Sequence, residues 1–410
     1  MSYKQEKLED YIEILSGFAF KTKDFAESGI PIIKIKNISP PEVSLEDLTY
    51  VSEEVAEKQK KFLLSYDDVI IAMTGSHINQ WASVVGRVAR VKYYDKSLLN
   101  QRVGKITLKE NAQADLTYIY YFLTQDRVKI ELAAKAGGAA NQANISPSDI
   151  KGLLFSRPDL DKQIKIAGIL KAYDDLIDNN KRQIILLEEA AQRLYKEWFV
   201  DLRFPGYEDC KIVDGVPSGW KKVKISDMGE IVTGKTPSTS KEQYYGGNIP
   251  FVKIPDMHDC VYPIVTESSL TTEGANTQKN KFIPKNGIMV SCIATVGLVN
   301  IAIEPCQTNQ QINSIILNDE QDIYYTFSTM KRLKALLEGV GSNGATMTNV
   351  NKTKFGNLEI LYPNDYIRKE YYDFCKPIFE KIYSLSVSVK EMSCARDILL
   401  PKLMSGEIEV

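Results

Sequence analysis

Histidine is nearly missing from this chain: His77 and His258 are the two in 410 residues. With so few, Ser-His and Cys-His catalytic pairs and histidine-built metal clusters have almost nothing to be made from, and both histidines read as surface-loop residues. The six cysteines (Cys210, Cys260, Cys292, Cys306, Cys375 and Cys394) form no Cys-x-x-Cys pair, so free thiols are expected and not disulfides or a metal site. No apolar run approaches the roughly 20 residues that span a bilayer. Met1-Ser2-Tyr3-Lys4-Gln5-Glu6 is no signal peptide, so no membrane partner is expected and the cytoplasm is the default compartment. An excess of one charge is missing as well: 51 Lys and Arg against 53 Asp and Glu leave a net charge of −2. Any basic surface must therefore be local.

Catalytic motifs are equally scarce. There is no Walker A sequence, and Gly339-Val340-Gly341-Ser342-Asn343-Gly344 matches G-x-G-x-x-G only after a helical stretch, where a dinucleotide site needs a preceding strand. Ser39-Pro40-Pro41-Glu42 has the outline of an adenine-methyltransferase motif without the aromatic that stacks on a flipped base. Pro-Asp occurs at Pro158-Asp159 and Pro255-Asp256, yet the chain holds no Glu-x-Lys to complete a nuclease metal site. No catalytic residue, metal or cofactor of its own is expected.

What is present is a long seam. Alternating steps of four and three residues connect Ile166, Leu170, Tyr173, Ile177, Asn180, Ile184, Leu187, Ala191, Leu194 and Trp198. A heptad pattern sustained this far predicts a long helix, about 60 Å at 1.5 Å per residue, paired with another long helix. Asn180 is the one polar member and reads as a register device. Pro205-Gly206 stops the helix. The same steps 205 positions later connect Tyr371, Cys375, Ile378, Ile382, Leu385, Val389, Met392, Arg396, Leu399 and Leu403, which makes the C-terminal stretch the partner. Pro377 should kink or break that second helix, and Pro401 should end or bend it.

The correspondence reaches beyond the helices, so the chain is a repeat. Gly29 to Ile35 reads Gly-Ile-Pro-Ile-Ile-Lys-Ile and Asn248 to Ile254 reads Asn-Ile-Pro-Phe-Val-Lys-Ile. Strand-like Asp68 to Ala72 answers Gly287 to Ser291, and Asn100-Gln101 answers Asn309-Gln310, each leading into another strand-like run. The predicted fold is α+β: two strand-rich globular domains in tandem, 1–158 and 224–363, joined by two long antiparallel helices, 159–204 and 364–405, in a pseudo-twofold coiled coil. A linker, 205–223, separates the copies. Two similar domains at fixed separation suit bipartite half-sites on duplex DNA.

Long polar loops carry the recognition chemistry. Thr74-Gly75-Ser76-His77-Ile78-Asn79-Gln80-Trp81 is one, followed by Arg87 and Asn100-Gln101-Arg102. Asn141 and Gln142 belong with them. The second copy offers Tyr244 and Tyr245, Asn309, Gln310 and Gln311, and the stretch Asn343 to Lys352 with Thr346 and Thr348. Asn and Gln pair bidentately with adenine, Arg with guanine, Ser and Thr with either. Lys21, Lys23 and Lys36, with Lys235, Lys241 and Lys253, are candidates for phosphate contacts. Each such loop alone is ordinarily just solvated; it is their recurrence at matching places that favours DNA.

Lys196-Glu197-Trp198-Phe199-Val200-Asp201-Leu202-Arg203-Phe204-Pro205-Gly206, Val216-Pro217-Ser218-Gly219-Trp220 and Leu399-Leu400-Pro401-Lys402-Leu403-Met404-Ser405-Gly406-Glu407-Ile408 resemble the specificity subunit of type I restriction-modification systems, and the likeness covers essentially the full length. The resemblance implies two target recognition domains, each reading half of a bipartite asymmetric site, and helices that set the spacer and dock two methyltransferase subunits. Ile177, Asn180, Ile184, Leu187, Leu194, Trp198, Ile382, Leu385, Val389 and Leu399 are the helix-pair and partner candidates. S-adenosylmethionine, ATP and magnesium are expected on the methyltransferase and restriction or translocase partners. The alternatives are a coiled-coil scaffold that reads nothing and a fragment of a fused restriction or methylation enzyme. Asn180 matches Leu385 in the second seam, so the seams are not equivalent and the antiparallel register stays open.

Overall fold

Val69-Ile70-Ile71-Ala72 is apolar on both faces, and such a run is stable as a strand only when both faces are covered. In the computed structural model, which describes residues 3–137, 142–293, 295–334 and 350–410, it is an inner strand with all four side chains buried. The chain divides into two compact units, residues 1–175 with 393–410 and residues 176–392.

In the first unit the main strands are β1 (Ile12–Ser16), β2 (Ile30–Ile33), β3 (Val69–Ala72), β4 (Val88–Arg90), β5 (Ser97–Leu99) and β6 (Val103–Leu108). One sheet has the order β1-β6-β3-β4 and is extended by Glu42–Val43 and Ile38–Ser39. A second sheet centres on the parallel pair β2 and β5, with Leu98 opposite Ile32. Helix α1 (Leu116–Thr124) starts where the Asp115 side chain accepts from the Tyr118 N–H, and α2 (Asp126–Lys135) follows. The core packs Ile12, Val69, Ile71 and Ile106 against Tyr118, Phe122 and Phe155.

A long helix, α3 (Leu160–Tyr195), then leads into the second unit. Its strands are β7 (Gly229–Thr233), β8 (Tyr245–Val252), β9 (Ile288–Ser291), β10 (Val299–Ile301), β11 (Gln307–Thr308) and β12 (Ile312–Leu317), followed by α4 (Ile323–Arg332) and α5 (Asp365–Ser405). The sheet order β7-β12-β9-β10 and the parallel pair β8 and β11 repeat the first unit's plan. Lys221–Lys224 pairs with Glu359–Tyr362 just as Lys4–Lys7 pairs with Leu154–Arg157. The segment expected to be a bare linker is structured: Ile212–Val213 pairs with Val216–Pro217, and Trp220 is buried with its ring 4.8 Å from Phe204.

The helices pair antiparallel within each unit. In the first, Ile166 and Leu170 share a core with Leu403 and Met404, and Arg396 Nη1 lies 2.7 Å from Asp174 Oδ1 while Tyr121 Oη donates to Asp174 Oδ2 at 2.6 Å. In the second, Asn180 Nδ2 donates to Ser388 Oγ at 3.3 Å. These contacts settle the register that the matching seams left open. Of the predicted seam on α3, Ala191 is buried and Ile184, Leu187, Leu194 and Trp198 are half-buried against the second unit's core. Beyond Ala191, Lys196–Val200 forms a π-helical turn, with Asp201 N–H donating to Lys196 O. On this stretch Tyr195 and Phe199 are buried and Leu194 and Trp198 half-buried beside them.

Neither proline breaks or ends the helix. Helix α5 runs unbroken through both Pro377 and Pro401. Both sit on the exposed side of the helix, and the buried Tyr371, Cys375, Phe379 and Ile382 hold the helix on either side of Pro377. The stop is Gly406 instead: at φ 78 it takes the left-handed cap, and Glu407 N–H donates back to Lys402 O. Among the described residues no helix is long and apolar enough to cross a membrane.

Candidate nucleic-acid interface

Antiparallel pairing of β3 with β6 places the C-terminal end of one beside the N-terminal end of the other, Ala72 opposite Val103. The loop after β3 and the turn before β6 must therefore meet, and Met73 N–H donates to Arg102 O. Gly17, just past β1, closes on the same place with N–H to Val103 O. A Cβ on Gly17 would sit 2.2 Å from Asn100 O, which is why glycine stands there. Thr74–Gly75 pairs with Ala143–Asn144, bringing Gln142 alongside. Asn100 N–H donates to Ile33 O at the end of β2, so Lys36 lies three residues past that close. His77, Asn79, Gln80, Asn100, Gln101, Arg102, Gln142 and Lys36 are thus drawn to one sheet end, all exposed except the half-buried His77 and Asn100. Lys21 and Lys23 are exposed on and beside the 3-10 turn Thr22–Asp24.

The second unit closes the same way. Gly234 N–H donates to Ile312 O, Lys235 N–H to Thr308 O and Cys292 N–H to Gln311 O. A Cβ on Gly234 would meet Asn309 O at 2.1 Å, matching Gly17 and Asn100. Exposed Gln310 accepts from Thr236 Oγ1 at 2.7 Å, and Lys235 is exposed beside it. Lys352 is exposed in the first turn of Lys352–Gly356. Lys241 and Tyr244 belong elsewhere: they precede β8, whose far end carries Lys253. Lys241 Nζ rests 5.1 Å from the Tyr244 ring centroid and 3.0 Å from its hydroxyl, and that hydrogen bond raises the ammonium pKa.

Several residues expected to contact DNA are instead used by the fold. Ser76 is buried, its hydroxyl donating to Gln80 O at 2.7 Å and lying 2.9 Å from Ser83 Oγ. Arg87 donates to Ala82 O and Ile35 O, and burial lowers its pKa. Asn309 is buried and forms a turn with Gln311, accepting from its N–H and donating to its Oε1. Tyr245 Oη donates to Pro237 O, and Lys253 is paired with Glu267 at 2.7 Å. These side chains brace the loops that hold their neighbours out. Asn141, Asn343, Thr346 and Thr348 lie outside the described residues.

Loop chemistry alone missed Lys129. It sits on α2 with no loop signal, yet its Nζ lies 4.8 Å from the centroid of Trp81. Trp81 and Ile78 stand in the same loop as Asn79 and Gln80; large apolar side chains score as core in a sequence and not as site.

The family described as the type I restriction modification DNA specificity domain matches residues 2–189 and again 217–386. The type I restriction enzyme HindI specificity subunit of Haemophilus influenzae is 34 % identical over 325 residues, 64 % of this chain and 71 % of that one. The MjaIX specificity subunit of Methanocaldococcus jannaschii is 25 % identical over 423 residues, 99 % of this chain and 93 % of the relative. In fold, the crystal structure of the type I restriction-modification system S subunit from M. genitalium superposes with a TM-score of 0.61 at 14 % identity, covering 98 % of this chain and 96 % of that one.

Proposed function

Because the chain belongs to the type I restriction-modification DNA specificity family and carries its domain twice, we propose that each unit reads one half of a bipartite, asymmetric duplex sequence. The observation that carries this is the recurrence of one arrangement in both sheets. A glycine packed on an Asn carbonyl holds an Asn-Gln turn at the sheet end, Gly17 with Asn100-Gln101 and Gly234 with Asn309-Gln310. Exposed Gln101, Arg102 and Gln142 in the first unit, and Gln310 in the second, are hydrogen-bonding groups of the kind that read adenine and guanine edges. Lys21, Lys23, Lys36, Lys235 and Lys352 position the duplex through its phosphates.

Helices α3 and α5 set the spacer between half-sites and dock two methyltransferase subunits. Those subunits bring S-adenosylmethionine and the adenine-methylating chemistry, restriction or translocase subunits bring ATP and magnesium, and this chain supplies sequence choice without catalysis, in the cytoplasm. The test is co-expression with the methyltransferase subunit from the same locus, followed by single-molecule sequencing of adenine methylation. A bipartite motif methylated only when this chain is present supports the reading. Methylation without it, or a stable complex that methylates no motif, overturns it.

A further inference from the structure

Between β3 and the glycine that follows it, the two repeats differ. Thirteen residues (73–85) separate Ala72 from Gly86, whereas five (292–296, Cys-Ile-Ala-Thr-Val) separate Ser291 from Gly297. The extra length is a braced loop. Ser76 N–H donates to Ser83 O, Val85 N–H to Ser76 O, Gln80 N–H to His77 O and Val84 N–H to Trp81 O. At its base a Cβ on Gly75 would lie 2.6 Å from Ser83 O and 2.7 Å from Val85 N, so the two strands of the loop touch. The buried Ser76 hydroxyl ties the turn from inside.

A loop closed this tightly cannot fold its tip back onto the core. It nonetheless carries two large apolar side chains there, Ile78 at 55 % exposure and Trp81 at 41 %. Lys129, paired with Asp126 at 2.7 Å, rests with its Nζ 4.8 Å from the Trp81 ring centroid and so helps fix the ring in place. Apolar side chains presented by a rigid element at a duplex surface are a means by which proteins part a base step: the cost of unstacking is offset by the apolar contact and by the extra surface the deformed duplex meets. We propose that Ile78 and Trp81 form an apolar wedge that unstacks one base step in the first half-site only, so that this half-site is selected partly by how easily its steps deform. The proposal rests on the DNA-reading function above and adds a residue-level device to it.

The test uses the full complex with its methyltransferase subunits and a duplex carrying the mapped bipartite site, with 2-aminopurine placed in turn through both half-sites. Apart from the target adenines, which methylating partner subunits extrude from the stack, fluorescence should rise on binding at one further step, in the first half-site alone. Trp81→Ala should abolish that rise and weaken binding about tenfold, Trp81→Phe should keep both, and Ile78→Ala should lower the rise. Binding of the unaltered complex with no unstacked step beyond the target adenines overturns the wedge and leaves the recognition reading intact, as does a Trp81→Ala complex that keeps the signal. Failure of the unaltered complex to select any bipartite site overturns both.

Discussion

Asp174 shows what one residue decides. It accepts from the Tyr121 hydroxyl and pairs with Arg396; burial works against the guanidinium charge, and the contacts with Asp174 and Asp397 outweigh it and raise the pKa. Burial and the Asp174 charge likewise hold the Tyr121 phenol protonated. Asp174→Ala strands the Tyr121 hydroxyl and leaves Arg396 with Asp397 alone, and should cost the first unit about 1–3 kcal/mol, read as a lower midpoint for its thermal transition; an unchanged midpoint refutes the pairing. Burial also pushes the thiols of Cys292, Cys306 and Cys375 up, to about 11, 12 and 12. Because the folded state holds these protons more tightly, stability is complete below about pH 9 and falls as pH rises toward 11–12, by about 1.4 kcal/mol per thiol at pH 10. Denaturant midpoints at pH 8, 9 and 10 should therefore decrease in order. A thiol reagent at pH 8 should reach exposed Cys394 and half-buried Cys210 well before these three.

At the scale of elements, heptad steps were enough to locate both long helices, because a 3.5-residue period needs only side-chain polarity to be visible. Two features of those helices were not legible. The π-turn at Lys196–Val200 follows from Tyr195 and Phe199 fitting an aromatic cluster with Tyr325 and Tyr371, a contact between distant residues. The passage of α5 through Pro377 depends on which side of the helix faces water. Pro377→Ala restores a donor for the Asp373 carbonyl and should stabilise the second unit by about 1–3 kcal/mol; a loss in calorimetry would mean that the proline fits a bend the helix needs. Gly234→Ala, with Cβ 2.1 Å from Asn309 O, should displace the Asn309 turn and reduce methylation of sites through the second half-site alone. If selectivity for the first half-site also changed, the turn would not be a local device.

For the whole molecule, exchanging residues 1–158 for the matching segment of a relative should alter one half of the methylated motif and keep the other; a change in both halves would break the two-reader scheme. DNA affinity should also fall steeply and linearly in the logarithm of salt concentration, as counterion release at phosphate contacts requires, whereas a scaffold that reads nothing predicts a flat response. The sequence by itself determined that the chain is a repeat of two strand-rich domains and that two long helices run through it. Those facts are written as periodicity and offset, which depend on nearest residues along the chain. Tertiary structure decided which polar residues remain for a partner. Gln101 and Arg102 stay exposed, while Arg87 is taken up by the Ile35 carbonyl from a distant segment and Ser76 and Asn309 turn inward onto their own buried loops. A side chain's hydrogen-bonding capacity is visible in its identity, but whether the fold has already used it depends on residues brought close only by folding.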